Sequence, residues 1–166
     1  MNDITIVDFK PEHQPYFEAL NRNWIEKYFI MEEMDKYVLR NPQEAIIEPG
    51  GAILVALYDD KVVGCVALRK SGDKIYEFTK MAVDENYRRM GIAEKLSYAS
   101  FKRASELGAT QVFLFSNSIL KPAITLYEKL GFRHVPLGEV KYKRSDVKMS
   151  IDIKIPNGHQ ILLTAK

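Results

Sequence analysis

Residues 84–96 read DENYRRMGIAEKL, and what such a segment can build decides the fold. Two arginines meet a glycine and an alanine just before an apolar-periodic stretch that runs to about Leu107 and is stopped by Gly108. The start of a helix carries unpaired backbone N–H groups and roughly half a positive charge, so a small-residue turn leading into it makes an anion site. Gly91 removes the Cβ that would hold a phosphate away, Ala93 is nearly as small, and Arg88 and Arg89 can add charge-assisted contacts at the rim. A diphosphate fits that description. The segment has neither the G-x-x-x-x-G-K-[ST] of nucleoside-triphosphatase loops nor the G-x-G-x-x-G of dinucleotide folds. Taken alone, Arg-x-x-Gly-x-Ala is a weak signal and reads more readily as a solvated basic helix start.

On the N-terminal side of this segment, AILVALY (52–58), KVVGCVALRK (61–70) and KIYEFTKMAV (74–83) are strand-like runs. Asp59-Asp60 and Ser71-Gly72-Asp73 separate them and suit hairpin turns, which predicts an antiparallel meander. On the other side, QVFLFS (111–116) follows the helix and is expected to lie parallel to the strand before it. KPAITLYEKLGF (121–132) places Pro122 near a helix start and Gly131 just past its end, and FRHVPL and DVKMSIDI read as late strands. The chain opens with a strand, DITIVDF, then helical spacing from Pro11 to about Lys27 and from about Met31 to Leu39, with 41–51 a Pro- and Gly-containing loop. Tyr16, Leu20, Trp24 and Tyr28 fall four apart and predict one aromatic face, a pattern that is more often core than binding site. The expected class is α/β or α+β with a mixed sheet.

Bulk properties bound the function. With 166 residues, 46% of them hydrophobic and 28% charged, the chain suits one domain with its own core. The net charge of +2 gives no field that would imply nucleic acid, and the one dense cationic run, KYKRS (141–145), reads as a solvated loop. No apolar run approaches the ~20 residues of a membrane span, and the start lacks the sections of a signal peptide, so a cytoplasmic location without membrane insertion is expected. Cys65 lies inside an apolar strand without a partner base and is read as packing. His13, His134 and His159 lack metal spacing, so no metal is expected.

The pattern at Arg88, Gly91 and Ala93 resembles the coenzyme A loop of the GNAT acyltransferases: Gln or Arg, two residues, Gly, one residue, then Gly or Ala. YEFTKMAV before it, QVFLFS after it and AITLYEKLGF later are similar to the family's segments in the same order, so the resemblance covers about residues 50–135. It implies a single GNAT-like domain over 1–153, with a mixed, mostly antiparallel central sheet of about seven strands flanked by about four helices, and a tail, 154–166, of uncertain structure. It further implies that the strands either side of the helix splay into a wedge that takes the pantetheine of acetyl-coenzyme A, paired with the backbone of Met81, Ala82 and Val83. The amides of Arg89, Met90, Gly91, Ile92, Ala93 and Glu94 would face the diphosphate. Many family members place an asparagine where this chain has Leu120; Asn117 stands nearby as its substitute.

Glu77 is the expected chemical carboxylate. Counted along an ideal strand it shares a face with Ile75, Thr79, Met81 and Val83, an odd place for a charge unless water or substrate reaches it. It matches the position where several GNAT enzymes carry a glutamate base; the competing reading is a strand-edge ion pair. Tyr127, on a stripe with Ala123, Leu126 and Leu130, should point inward, and the resemblance assigns it a role beside the thioester sulfur, against plain core packing. Trp24, Tyr28, Glu32 and Glu33 are expected to wall the acceptor site, the acidic pair suiting a cationic amine. The reading is an N-acetyltransferase that moves an acetyl group to a small-molecule or peptide amine by direct attack, with a homodimer possible; a non-catalytic acyl-coenzyme A-binding regulatory module is the alternative.

Overall fold

Two hairpins set the sheet. In the computed structural model, which describes residues 3–154 and 162–163, β1 (Ile4–Asp8) pairs antiparallel with β2 (Ala52–Tyr58). β2 in turn pairs with β3 (Lys61–Gly72), and β3 with β4 (Ile75–Val83). Asp59 and Asp60 take φ of 51° and 62°, the left-handed pair that a two-residue turn between twisted strands requires. The second turn lies further along than the sequence suggests: β3 runs through Gly72, and Lys74, at φ 60°, closes the turn.

Helix α1 (Gln14–Tyr28) follows a short 3₁₀ turn at Pro11–His13, and α2 (Glu33–Arg40) comes next. Helices α3 (Ile92–Glu106) and α4 (Lys121–Leu130) flank β5 (Gln111–Ser116) in sequence, with left-handed Gly108 and Gly131 closing them. β6 (Arg133–Val135), β7 (Val147–Lys154) and the two-residue β8 (Leu162–Leu163) finish the sheet. The strand order is β1-β2-β3-β4-β5-β7-β6, with β8 on β7, and β4–β5 is the one parallel pair among the described residues. Most of the tail expected at 154–166 lies outside the described residues.

Both faces of the sheet are covered, which is why β2 and β3 read as continuous apolar runs rather than alternating ones. One core joins Phe17 of α1 and Val38 and Leu39 of α2 to Ile53, Cys65, Ala67 and Ala82. The other joins Ile92, Leu96 and Phe101 of α3 and Leu130 of α4 to Leu54, Leu68, Tyr76 and Phe78. Gly64 lets α3 lie directly on β3: a Cβ there would stand 3.0 Å from Ile92 and 3.1 Å from Leu96. Cys65 is fully buried, and burial pushes its thiol up to about 12, so it packs and does not react.

Three expectations are corrected. The buried stripe of α1 is Phe17, Asn21 and Ile25, one residue round from the aromatic stripe; Tyr16 and Tyr28 are exposed, while Trp24 is left at the cleft. The polar Asn21 is accommodated by donating to the Phe17 carbonyl and the Cys65 sulfur. Within the expected loop 41–51, Gln43–Ile47 forms one wide helical turn, closed by Glu48 N–H to the Gln43 carbonyl at 2.9 Å, because Ile46 turns into the core.

The third correction concerns β4. Ala67 faces Thr79 and Cys65 faces Ala82, so β4 spends one residue more than β3 over this interval. The extra residue is Lys80, at φ 56°, and such a bulge inverts the alternation beyond it. Met81 and Val83 therefore pack with Tyr76 and Phe78 on the α3/α4 side. Glu77, Thr79 and Lys80 look to the α1/α2 side. Glu77 does not share a face with Met81 and Val83.

Candidate active site

The parallel ladder between β4 and β5 lasts three pairs, Ile75–Gln111, Tyr76–Val112 and Glu77–Phe113, and stops. β5 stays bonded to β7 along its whole length, so it is the β4 side that parts company, leaving the edge of residues 78–83 unpaired toward the gap. The wedge opens into a cavity of about 450 Å³ lined by Glu77 through Val83, Leu114 through Asn117, the start of α3 and the inner face of α4.

At its mouth Gly91 takes φ 74° and caps α3 without any side-chain cap, so the first amides of the helix are left for a ligand. A Cβ on Gly91 would meet nothing within 4 Å, which marks an open cradle at the helix start. Arg89 is held at φ 65°, a strained conformation for a side-chain-bearing residue and a recurrent mark of functional loops. Arg88, Arg89, Gly91, Ile92, Ala93 and Glu94 line the cavity; Met90, 40% exposed, faces away. Backbone amides, guanidinium groups and an unpaired strand edge fit a carrier with a diphosphate and a chain of amides. Asn117 lines the cavity too, but its amide donates to the Arg144 carbonyl at 2.6 Å and its oxygen accepts from Ile119 N–H, so it holds loops together; Leu120 lines the wall nearby.

Glu77 sits where the ladder ends. It is 4% exposed, and Arg69, opposite on β3, pairs with it at 3.2 Å. Burial raises its carboxyl above the ordinary range, against the pull of Arg69, Lys80 and Lys148. It is an ion-paired glutamate, yet mid-sheet and opening on a cavity rather than at a strand edge. Tyr127 reaches the cavity from α4, edge-on to Phe78 and Phe132 with ring centroids 5.8 and 5.9 Å away. No group among the described residues bonds its hydroxyl, and burial pushes it up to about 12.

The far end of the cavity carries groups that sequence reasoning passed over. Lys80, 6% exposed, donates from Nζ to Asp35 Oδ1 and to the Tyr142 hydroxyl, each at 3.1 Å. Arg144 grips the same carboxylate with both terminal nitrogens at 2.8 and 2.7 Å, and Asp35 also accepts from Glu32 N–H. The two cations lie 4.4 Å from the Tyr142 ring centroid. Burial would raise the Asp35 carboxyl, but the Arg144 hydrogen bonds and the Lys80 charge overcome it and hold it below its usual value; burial lowers the Lys80 ammonium despite Asp35. KYKRS is therefore no solvated loop, since Tyr142 and Arg144 turn inward. A lysine inside an apolar strand and an aromatic residue among cations were the available signals.

Trp24 and Tyr28 line the cavity, with Phe29 beside them. Glu32 and Glu33 do not. Glu32 accepts from Lys143 N–H and stands 3.6 Å from Arg144, while Glu33, its side chain 92% exposed, pairs with Lys36. Neither carboxylate is part of the cavity wall. Among the described residues no group of His, Cys, Asp and Glu could hold a metal ion, and no helix is long and apolar enough to cross a membrane.

Comparison with known proteins agrees with this geometry. Residues 11–132 match the family model of the acetyltransferase (GNAT) family. An N-acetylaspartate synthetase of Xenopus tropicalis is 34% identical over 110 residues, 66% of this chain and 38% of that protein. The uncharacterized N-acetyltransferase YjgM of Escherichia coli is 37% identical over 91 residues, 53% of this chain and 54% of that one. The match thus spans about a third to about half the length of these relatives. Among solved structures, a GNAT-family acetyltransferase of Staphylococcus aureus superposes with a TM-score of 0.82 at 18% identity, over 89% of this chain and 98% of that one. A PaiA N-acetyltransferase of Thermoplasma acidophilum, in complex with coenzyme A, gives 0.70 at 17% identity over the same shares. These last two carry the fold.

Proposed function

The chain belongs to the acetyltransferase (GNAT) family, and from that premise we propose that it is an N-acetyltransferase acting on a primary amine with acetyl-coenzyme A as its second substrate. The observation that carries the reading is the wedge itself: the ladder stops at Glu77–Phe113, with a helix-start anion cradle at one end and a buried carboxylate at the other. The residues that would hold the carrier are the amides from Gly91 to Glu94 with Arg88 and Arg89 for the diphosphate, and the backbone of Met81, Ala82 and Val83 for the pantetheine. Acetyl-coenzyme A would supply an activated acetyl thioester.

What the chain's own residues contribute follows from their pKa values. An alkylammonium of pKa ~10.4 must lose a proton before its nitrogen can attack, which costs roughly 4–5 kcal/mol near neutral pH. Glu77 is the acceptor for that proton, directly or through water, and burial makes it a better base than an ordinary glutamate. Tyr127 is a poor acid at about 12, well above a free thiol at ~8.5, so its hydroxyl acts as a hydrogen-bond donor to a departing thiolate rather than as a proton source. Cys65 is buried and its thiol is pushed up to about 12, so it is no nucleophile, and the amine attacks the thioester directly.

The test is thiol release from acetyl-coenzyme A over a panel of amines. Glu77→Gln and Tyr127→Phe should keep affinity for acetyl-coenzyme A and lose turnover. Full activity in both variants would remove the catalytic assignments. A module that merely senses acyl-coenzyme A has no use for either side chain and would release no thiol with any amine.

A further inference from the structure

We infer that the acceptor is an amine bearing a carboxylate, its anionic group held against Arg144 and Lys80 while its ammonium faces Glu77. The inference rests on the acetyl-transfer reading and adds the substrate class. Of the ionised side chains at the acceptor end of the cavity, Glu77 is an anion and Lys80 and Arg144 are cations. The carboxylates that balance the two cations, Asp35 and Glu32, are not part of the cavity wall, and Asp35 has no exposure at all. Each ion pair is thus oriented, with its positive end toward the cleft.

Donors remain for a ligand. Arg144 has five N–H groups and gives two to Asp35; Lys80 has three and gives one to Asp35 and one to Tyr142. Both heads are already fixed by the buried carboxylate and by the Tyr142 ring at 4.4 Å, so little further ordering is needed when a carboxylate arrives. A guanidinium edge suits that planar anion. Asp35 and Glu32 formally balance Lys80 and Arg144, so a monoanion leaves less uncompensated charge than a phosphate dianion. A polycationic acceptor would meet two like charges, with only Glu77, already paired to Arg69, in return. Trp24 and Tyr28 line the same cavity and offer an apolar wall. A zwitterionic amino acid presents the complementary pattern, a cation next to an anion.

The test needs only the wild-type chain and matched acceptors: L-amino acids, their carboxamides, the corresponding decarboxylated amines, aminoethyl phosphate and spermidine. Thiol release is compared as the pH-independent kcat/KM, because the amide lowers the pKa of its own amine. The acid should exceed its amide and its decarboxylated amine by about tenfold or more, as expected for a charge-assisted contact. Arg144→Lys and Arg144→Gln should raise KM for the acid and collapse its lead over the amide, with calorimetric affinity for acetyl-coenzyme A unchanged. Equal use of acid and amide, preference for spermidine or aminoethyl phosphate, or a lead that survives in Arg144→Gln overturns the inference while leaving acetyl transfer standing. No thiol release with any acceptor removes both readings.

Discussion

Replacing Asp35 with asparagine keeps the shape of the side chain and deletes the charge that holds Lys80 and Arg144 at the cavity wall. In the wild type this carboxylate, with no exposure, accepts from Lys80, twice from Arg144, and from Glu32 N–H. In the variant Lys80 and Arg144, whose side chains are 3% and 12% exposed, lose their common counter-ion. Breaking a buried ion pair from one side costs about 3–5 kcal/mol. Arg144 keeps Glu32 at 3.6 Å, and Lys80, its ammonium already lowered by burial, can shed its proton, so the lower end, about 3 kcal/mol, is expected. For a chain of this size that is a fall in Tm of roughly 6–12 °C. The assay is urea unfolding, with Trp24 fluorescence as a probe near Arg144, repeated across pH.

The sign of the pH dependence is fixed by linkage. The folded-state Asp35 carboxyl titrates below its ordinary value, so the wild type's advantage is full above the unfolded value of ~3.9 and is lost as pH falls through the folded one. On the alkaline side, burial lowers Lys80 in the folded wild type while Asp35 raises it, so without Asp35 the folded variant sheds that proton at lower pH still, and the deficit narrows as pH rises toward the wild-type folded value. The deficit should therefore be widest in weak acid and narrow in both directions. Lys36→Gln, which opens the exposed Glu33 pair, should leave the midpoint unchanged. A deficit below about 1 kcal/mol at neutral pH, or one that is the same at every pH, would refute the reasoning about this network.

Glu77→Gln should lower kcat by about 10²–10⁴-fold, the usual worth of a positioned base, with acetyl-coenzyme A affinity retained in calorimetry. Because the wild-type carboxyl is raised by burial and must be ionised to act, kcat/KM should climb with pH through a value above the ordinary glutamate range, and that limb should vanish in the variant. Tyr127→Phe should slow turnover about 10–100-fold by removing one donor to the thiolate, but any alkaline limb below pH ~10 should persist, since the wild-type hydroxyl titrates at about 12. Gly91→Val adds a β-branched side chain at φ 74° in the phosphate cradle; the strain is about 1–3 kcal/mol, and acetyl-coenzyme A affinity should drop by more than that strain alone explains, measured by paired unfolding and calorimetry.

Much of this molecule was local enough to read. The hairpin at Asp59-Asp60, the glycine stops at 108 and 131, the apolar strands and the small-residue helix start are each settled by a few neighbouring residues, because backbone sterics and periodicity act over one turn or one strand. That Glu77 and Tyr127 are polar groups set in apolar patterns was legible for the same reason, while the face on which Glu77 lies was not.

What the residues could not declare was set by register and by distance along the chain. The bulge at Lys80 depends on how β4 matches β3, and one unpaired residue is enough to part Glu77 from Met81 and Val83 and bring it to the Lys80 side. The choice of α1 stripe depends on which side chains the sheet can bury, so Phe17 and Ile25 displaced an equally periodic aromatic set. The charge of the cavity wall is the clearest case. Glu32 and Glu33 looked acidic in sequence, but 109 residues separate Asp35 from Arg144 and 45 separate it from Lys80, and only folding decides that the carboxylates stand behind and the cations in front. Electrostatics at a site is a sum over neighbours in space, and a sequence orders neighbours along the chain.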